Sequence, residues 1–149
     1  MEIIWKYKFF DELTVAELYT ILQLRSEVFV VEQNCVYQDA DNKDDKSFHL
    51  LGFIDEILVA YCRILPPGIS FSAASIGRVL TSPKYRYFGY GRQLMELAVK
   101  KTLLQFSCAE IIIGAQLYLK TFYESIGFVQ ISPTYLEDNI PHIEMKFST

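Results

Sequence analysis

The chain has 149 residues, half of them hydrophobic, including ten Tyr and eleven Phe. That length fits a single domain spanning 1–149, with enough apolar side chain for its own core, so stability calls for neither disulfides nor a structural metal. A formal charge of −4 lacks the basic field that non-specific nucleic-acid binding needs, and no apolar run approaches the roughly 20 residues of a membrane helix. The three cysteines, Cys35, Cys62 and Cys108, are odd in number and form no CxxC pair. A disulfide framework or zinc site is therefore not expected, and a reducing cytoplasm is the simplest compartment. Met1-Glu2-Ile3-Ile4-Trp5-Lys6 lacks the basic-then-apolar pattern of a leader.

Ile3–Phe9 alternates weakly and predicts a strand. Thr14 with Glu17 forms a capping box, and Leu18, Ile21, Leu22, Val28 and Phe29 follow at helical spacing, so a helix is predicted from Thr14 to Phe29. The acid-rich stretch Asp39–Lys46, with Asp39, Asp41, Asp44 and Asp45, reads as a solvated loop, because its spacing does not fit an EF-hand. Phe48–Ile54 and Ile57–Leu65 flank Asp55-Glu56 and read as a hairpin. Ser75–Thr81 predicts a further strand. After the turn Ser82-Pro83-Lys84 comes a long amphipathic helix ending near Phe106, with Met95, Ala98, Val99, Thr102, Leu103 and Phe106 on its apolar face.

Glu110–Ala115 is almost wholly apolar and predicts a strand buried on both faces. Leu119, Phe122, Tyr123 and Ile126 return to helical spacing, and Gly127 ends that helix. Phe128–Ser132 and His142–Phe147 predict two last strands around Glu137-Asp138-Asn139. The order β-α-β-β-β-α-β-α-β-β implies an α/β (α+β) fold: one mixed parallel and antiparallel twisted sheet flanked by helices.

The segment from Ser82 to Gly91 carries the main binding signal. The first N–H groups of a helix have no internal partner and sit at the positive end of its dipole, and glycines let that backbone approach an anion closely. Arg86 adds a cation. Glycine spacing alone is equally the mark of a tight turn. No Lys-Ser or Lys-Thr follows Gly91, which excludes a P-loop, and no G-x-G-x-x-G follows the first strand.

The strand Ile76-Gly77-Arg78-Val79-Leu80-Thr81, then Pro83, then Arg86-x-x-Gly89-x-Gly91, resembles the acetyl-coenzyme A motif of the GCN5-related N-acetyltransferases. Gln116, Phe122, Tyr123, Gly127 and Phe128 match that family's later pattern. Leu24-Arg25, Val28 to Gln33, Tyr37, Asp39, Asp41, His49, Gly114-Ala115-Gln116 and Ile140 to Met145 resemble its ElaA-type branch, whose members are mostly bacterial. Where the family often has glycine directly after the arginine this chain has Tyr87, and where it usually has asparagine after the fifth strand this chain has Gln116.

The resemblance implies an acyl-CoA N-acyltransferase fold and direct transfer of acetyl from acetyl-CoA to a small-molecule or peptide amine, without metal. It places the pyrophosphate on Arg86, Tyr87, Phe88, Gly89, Tyr90 and Gly91. It puts pantetheine against the backbone of Val79, Leu80 and Thr81, near Gln116 and Phe122, and makes Tyr123 the acid toward the departing thiolate. By helical spacing alone Tyr123 is a core residue. His142 and Glu32 are the candidate catalytic groups on the amine side, and Glu32, Gln33, His49 and His142 the candidate substrate contacts. Taken alone, Glu32 suits a surface salt bridge, His142 a solvated strand face, and His49 a structural core position. Arg25, Arg63 and Arg78 lie in apolar segments and call for carboxylate partners. Cys62 reads as a small core residue. An acyl-CoA-binding or sensing module without catalysis is the alternative function. Exposed strand edges permit a homodimer.

Overall fold

The computed structural model describes residues 2–149; Met1, the head of the segment read above for a leader, lies outside them. Strands are β1 (Ile4–Phe9), β2 (Phe48–Ile54), β3 (Ile57–Leu65), β4 (Ser75–Thr81), β5 (Glu110–Gln116), β6 (Phe128–Gln130), β7 (Tyr135–Glu137) and β8 (Ile140–Ser148). Helices are α1 (Val15–Arg25), α2 (Tyr90–Phe106) and α3 (Lys120–Ile126). The capping box at α1 forms as expected: Glu17 N–H donates to Thr14 Oγ1 at 3.0 Å and Thr14 N–H to Glu17 Oε1 at 2.9 Å. The helix does not stop at Phe29. It widens into π-helical turns over Ser26–Glu32, with Gln33 N–H reaching back to the Val28 carbonyl at 3.2 Å. Such a widening is often found at functional sites, and here it carries Glu32 and Gln33 beyond the expected end.

The mixed fold is the one expected, with the sheet in two halves. β1-β2-β3-β4 is antiparallel, and β5-β8-β6 is a second antiparallel array with β7 also on β8. The parallel part is small: Ala74 bridges Ile111, and Ile112 N–H donates to the Ala74 carbonyl at 3.0 Å. Beyond that point β4 and β5 separate, and no pairing joins them among the described residues. α2 holds the halves together by packing on β3, β4 and β5. Its buried stripe of Leu94, Met95, Ala98, Val99 and Thr102 follows the predicted face. On the opposite side, Ile21, Leu24 and Val28 pack against Leu51, Leu58, Tyr61 and Leu80. No described helix is long and apolar enough to cross a membrane.

Both hairpins after β2 and β7 turn on two residues with positive φ, Asp55-Glu56 and Asp138-Asn139, the geometry whose twist suits adjacent strands. β7 was missed because three residues carry no usable periodicity. β5 is not buried on both faces: Ile111, Ile113 and Ala115 are buried while Gly114 is exposed. Its second face fronts the separation from β4.

The acidic loop also departs from expectation, because it is an ion network instead of a solvated strap. Arg25, fully buried, donates to Asp39 Oδ2 and to Asp44 Oδ1, each at 2.7 Å. Arg63 holds both oxygens of Asp41, and Arg78 bonds Asp39 Oδ1 at 2.8 Å. Three guanidinium groups thus meet three carboxylates. Burial would raise the Asp41 carboxyl, but Arg63 and then Arg78 outweigh it and hold it at about 2; Arg25 and Arg63 likewise hold Asp44 below the usual carboxylate range. Removing one member of a buried ion network strands its partners in low dielectric. Arg25→Met is therefore expected to lower unfolding free energy by about 3–5 kcal/mol in urea titrations. Because the Asp41 value is lower folded than unfolded, its stabilisation is complete above pH 4 and is lost as pH falls toward about 2. Thermal unfolding across that window checks the sign.

Candidate functional site

Where β4 and β5 part, they open a cleft of about 1460 Å³. A bulge shapes its β4 wall. Tyr61 pairs with Leu80 and Arg63 with Gly77, so Arg78 and Val79 together stand opposite Cys62. Arg78 takes a φ of +50°, a left-handed conformation that a non-glycine residue holds only when over-determined. Its ion pairs to Asp39 and Asp41 supply that constraint. Val79, Leu80 and Thr81 all line the cleft.

At one end lies the start of α2. Gly89 caps it at φ +80° without a side-chain bond. The amides of Tyr90, Gly91 and Arg92 have no hydrogen-bond partner among the described residues, since the first helical bond runs from Gln93 to Gly89. A Cβ on Gly91 would meet only Thr81 Cγ2, at 3.7 Å. No neighbour crowds that position, and its bare backbone leaves the start of the helix open. Arg86 bonds Glu32 through its two terminal guanidinium nitrogens at 2.8 and 2.6 Å. That pairing holds the Glu32 carboxyl below its usual range and makes Glu32 a weak proton acceptor. Phe88 is exposed and is not part of the cleft wall. Gln33 and Gln116 meet across the cleft in a reciprocal amide pair at 3.3 Å.

Tyr87 explains the departure from the family's glycine. It lies at φ +70° with its ring fully exposed, so the loop keeps the backbone conformation that glycine adopts freely. Left-handed geometry costs an L-residue about 1 kcal/mol, and more for a β-branched one. Tyr87→Val is expected to lower stability by about 1 kcal/mol and Tyr87→Gly not to lower it; chemical denaturation of the two variants decides.

Tyr123 lies on α3, 5% exposed, edge-on to Phe122 and Phe128. Its hydroxyl finds no protein partner among the described residues and the side chain lines the cleft with Phe122. Burial raises its pKa, so the phenol stays protonated. Gly127 ends α3 at φ +121°, where a Cβ would sit 2.8 Å from Phe147; this is the steric reason for glycine in that motif. Burial also pushes the Cys62 thiol up, leaving it inert.

The two histidines separate. His49 is fully buried and does not line the cleft. Its Nε2 lies 2.9 Å from the Asp44 carbonyl, which can only accept, so Nδ1 accepts from the Tyr61 hydroxyl at 2.6 Å. Both nitrogens are used, and burial lowers its pKa; this is the structural core position, not a substrate contact. His142 does line the cleft, directly opposite Gln116 in the β5–β8 register. The alternation of β8 is as expected, but its second face is cleft wall instead of solvated surface, and His142 is 6% exposed. Its Nδ1 donates to the Ile140 carbonyl at 2.7 Å, and its Nε2 lies 3.4 Å from Glu137 Oε2, an ion pair when the ring is protonated. Glu144, Tyr135 and Glu137 complete this end. Sequence reasoning missed them as site residues, although Glu144 shared a strand face with His142.

The cleft, its bulged wall and the free helix start define an acyl-CoA-type transferase fold, and comparison with known proteins agrees. Residues 15–149 match the Acetyltransferase (GNAT) domain family, and the chain belongs to that family. Within it, the chain is similar to Protein ElaA of Escherichia coli (strain K12), 42% identical over 143 residues that cover 95% of this chain and 94% of ElaA. The crystal structure of Escherichia coli ElaA superposes with a TM-score of 0.93, covering 99% of this chain and 100% of that one. An acyl-CoA N-acyltransferase from Pseudomonas aeruginosa superposes at 0.94 with 41% identity and the same coverage.

Proposed function

We infer that the protein transfers the acetyl group of acetyl-CoA directly to an amine of a small molecule or peptide. The observation that carries this reading is the separation of β4 from β5 with an unpaired helix start at one end and Tyr123 and His142 on the walls. Pyrophosphate would meet the amides of Tyr90, Gly91 and Arg92 and the Arg86 guanidinium, with the 87–89 loop closing over it. Pantetheine would lie along Val79–Thr81 and reach the Gln116 amide beside Phe122.

The chemistry needs two proton movements. The amine nitrogen attacks the thioester carbonyl, whose oxygen gathers charge against backbone N–H groups at the β4 bulge. A C–N bond forms and the C–S bond breaks. His142 Nε2 takes the proton released by the amine, and Tyr123 gives its proton to the departing thiolate. Glu32 then serves Arg86 instead of the amine, and Gln33 serves Gln116.

Acetyl-CoA should raise the melting temperature, as linkage requires of a native-state ligand. Tyr123→Phe should lower kcat about a hundredfold while CoA affinity changes little. Full turnover by that variant removes Tyr123 from the acid role. Tight binding with no turnover on any amine by the native protein would leave a CoA-binding module. Glu32 competes with pyrophosphate for Arg86, so Glu32→Gln should tighten CoA binding several-fold by calorimetry. Unchanged affinity would mean that Arg86 never leaves Glu32.

A further inference from the structure

The charges along the cleft divide unevenly once pairs are removed. Asp41 is taken by Arg63 and Arg78, Glu32 by Arg86, and Arg92 is paired with Glu96. What remains is Lys43, which donates to Ser70 Oγ at 2.9 Å, and three carboxylates: Glu137, whose Oε2 lies 3.4 Å from His142 Nε2, Asp138 and Glu144. All three sit on the β7–β8 hairpin, away from the α2 start. The Glu144 carboxylate has no hydrogen-bond or ion-pair partner among the described residues.

This end is a built recess as well as an acidic one. Gly114 lies directly opposite Glu144, and Tyr135 directly opposite His142. A Cβ on Gly114 would come within 3.2 Å of Tyr135 Oη and 4.0 Å of Phe71 Cζ. The absent side chain lets the Tyr135 hydroxyl pack closely over Gly114, with Phe71 beside it. Tyr135 stacks on His142 at 5.9 Å and 28°. Burial, then Glu137 and Glu144, push the Tyr135 hydroxyl up, as a negative field there would. A buried polar side chain opens into the same cleft with unfilled capacity: Tyr123, through a hydroxyl without a protein partner among the described residues. Carboxylates beside aromatic faces suit an ammonium on an alkyl chain.

We propose that the acceptor is a linear di- or polyamine, with one amine at His142 and a second, charged amine held by Glu144 beside Tyr135. The proposal rests on the acetyltransferase reading above. Two residues of β8 separate His142 from Glu144, about 7 Å along the strand, a span that roughly three to five methylenes bridge between two nitrogens. The reacting amine is neutral when it attacks; the second stays protonated and never meets the thioester. The same carboxylate would leave a monoamine's apolar tail without a partner, and would take from a hydroxyl tail only the weaker hydrogen bond of a neutral donor.

The test compares acceptors of equal length under saturating acetyl-CoA, with thiol release as readout: 1,4-diaminobutane against 4-amino-1-butanol, which lacks only the second cation. The expected kcat/KM ratio is roughly ten- to a hundredfold in favour of the diamine, the range of a charge-assisted hydrogen bond. Glu144→Gln should bring the ratio toward one in protein whose melting temperature still rises with acetyl-CoA. A ratio near one in the native protein overturns the proposal and leaves the acetyltransferase reading intact; so does a ratio that survives the substitution. Binding of acetyl-CoA with turnover of neither amine, and of no other amine, overturns both.

Discussion

Three arginines and three aspartates hold this molecule in its working shape. Arg25 comes from the end of α1, Arg63 from β3 and Arg78 from β4, and all three converge on the loop that carries Asp39, Asp41 and Asp44. An isolated buried ion pair adds little net stability, because desolvation offsets attraction. Its value here is positional. The network pins a loop of about eight residues that has little apolar surface of its own, and it fixes Arg78 in a left-handed conformation. The bulge at Arg78 and Val79 follows from that, and with it the β4 wall of the cleft.

The wall matters because β4 and β5 share no strand ladder among the described residues, and the parallel bridge Ala74–Ile111 lies just before β4 begins. α2 spans both half-sheets on one face, so they can diverge without parting. The segment after α1 then closes the opening from above. Glu32 reaches Arg86 at the helix start and Gln33 reaches Gln116 at the end of β5. Both contacts use groups that a coenzyme would need, so the π-helical end of α1 occupies with its own side chains the positions a ligand's phosphate and amide groups would take.

Much of this was legible in the sequence. The capping box at Thr14 and Glu17, the hairpin at Asp55-Glu56, the α2 stripe and the Tyr123–Phe128 motif all depend on residues close in the chain, where spacing carries the information. Gly127 announced the end of α3. The need of Arg25, Arg63 and Arg78 for carboxylates was also legible from their apolar settings. Their partners were not, because pairing across 14 to 39 positions leaves no local trace. The aspartates therefore read as a solvated loop. His49 read as a core position and His142 as a solvated strand face; the first holds, with His49 on Asp44 and Tyr61, while strand register puts His142 on the cleft wall. Glu32 had its surface salt bridge anticipated but not its partner, because a π-helical extension cannot be seen in periodicity tuned to 3.6 residues per turn. Tyr87 looked like a defect in the loop; its backbone conformation shows that the loop tolerates a side chain pointing to solvent.

The central claim is that a coenzyme lies between β4 and β5 with its phosphates on the start of α2. Amide hydrogen exchange with and without coenzyme A tests it residue by residue. The account predicts new protection concentrated at Val79–Thr81 and at Tyr90–Arg92, amides on two separate elements joined only by such a ligand. Binding that protects neither segment, or protects a surface remote from both, would contradict it.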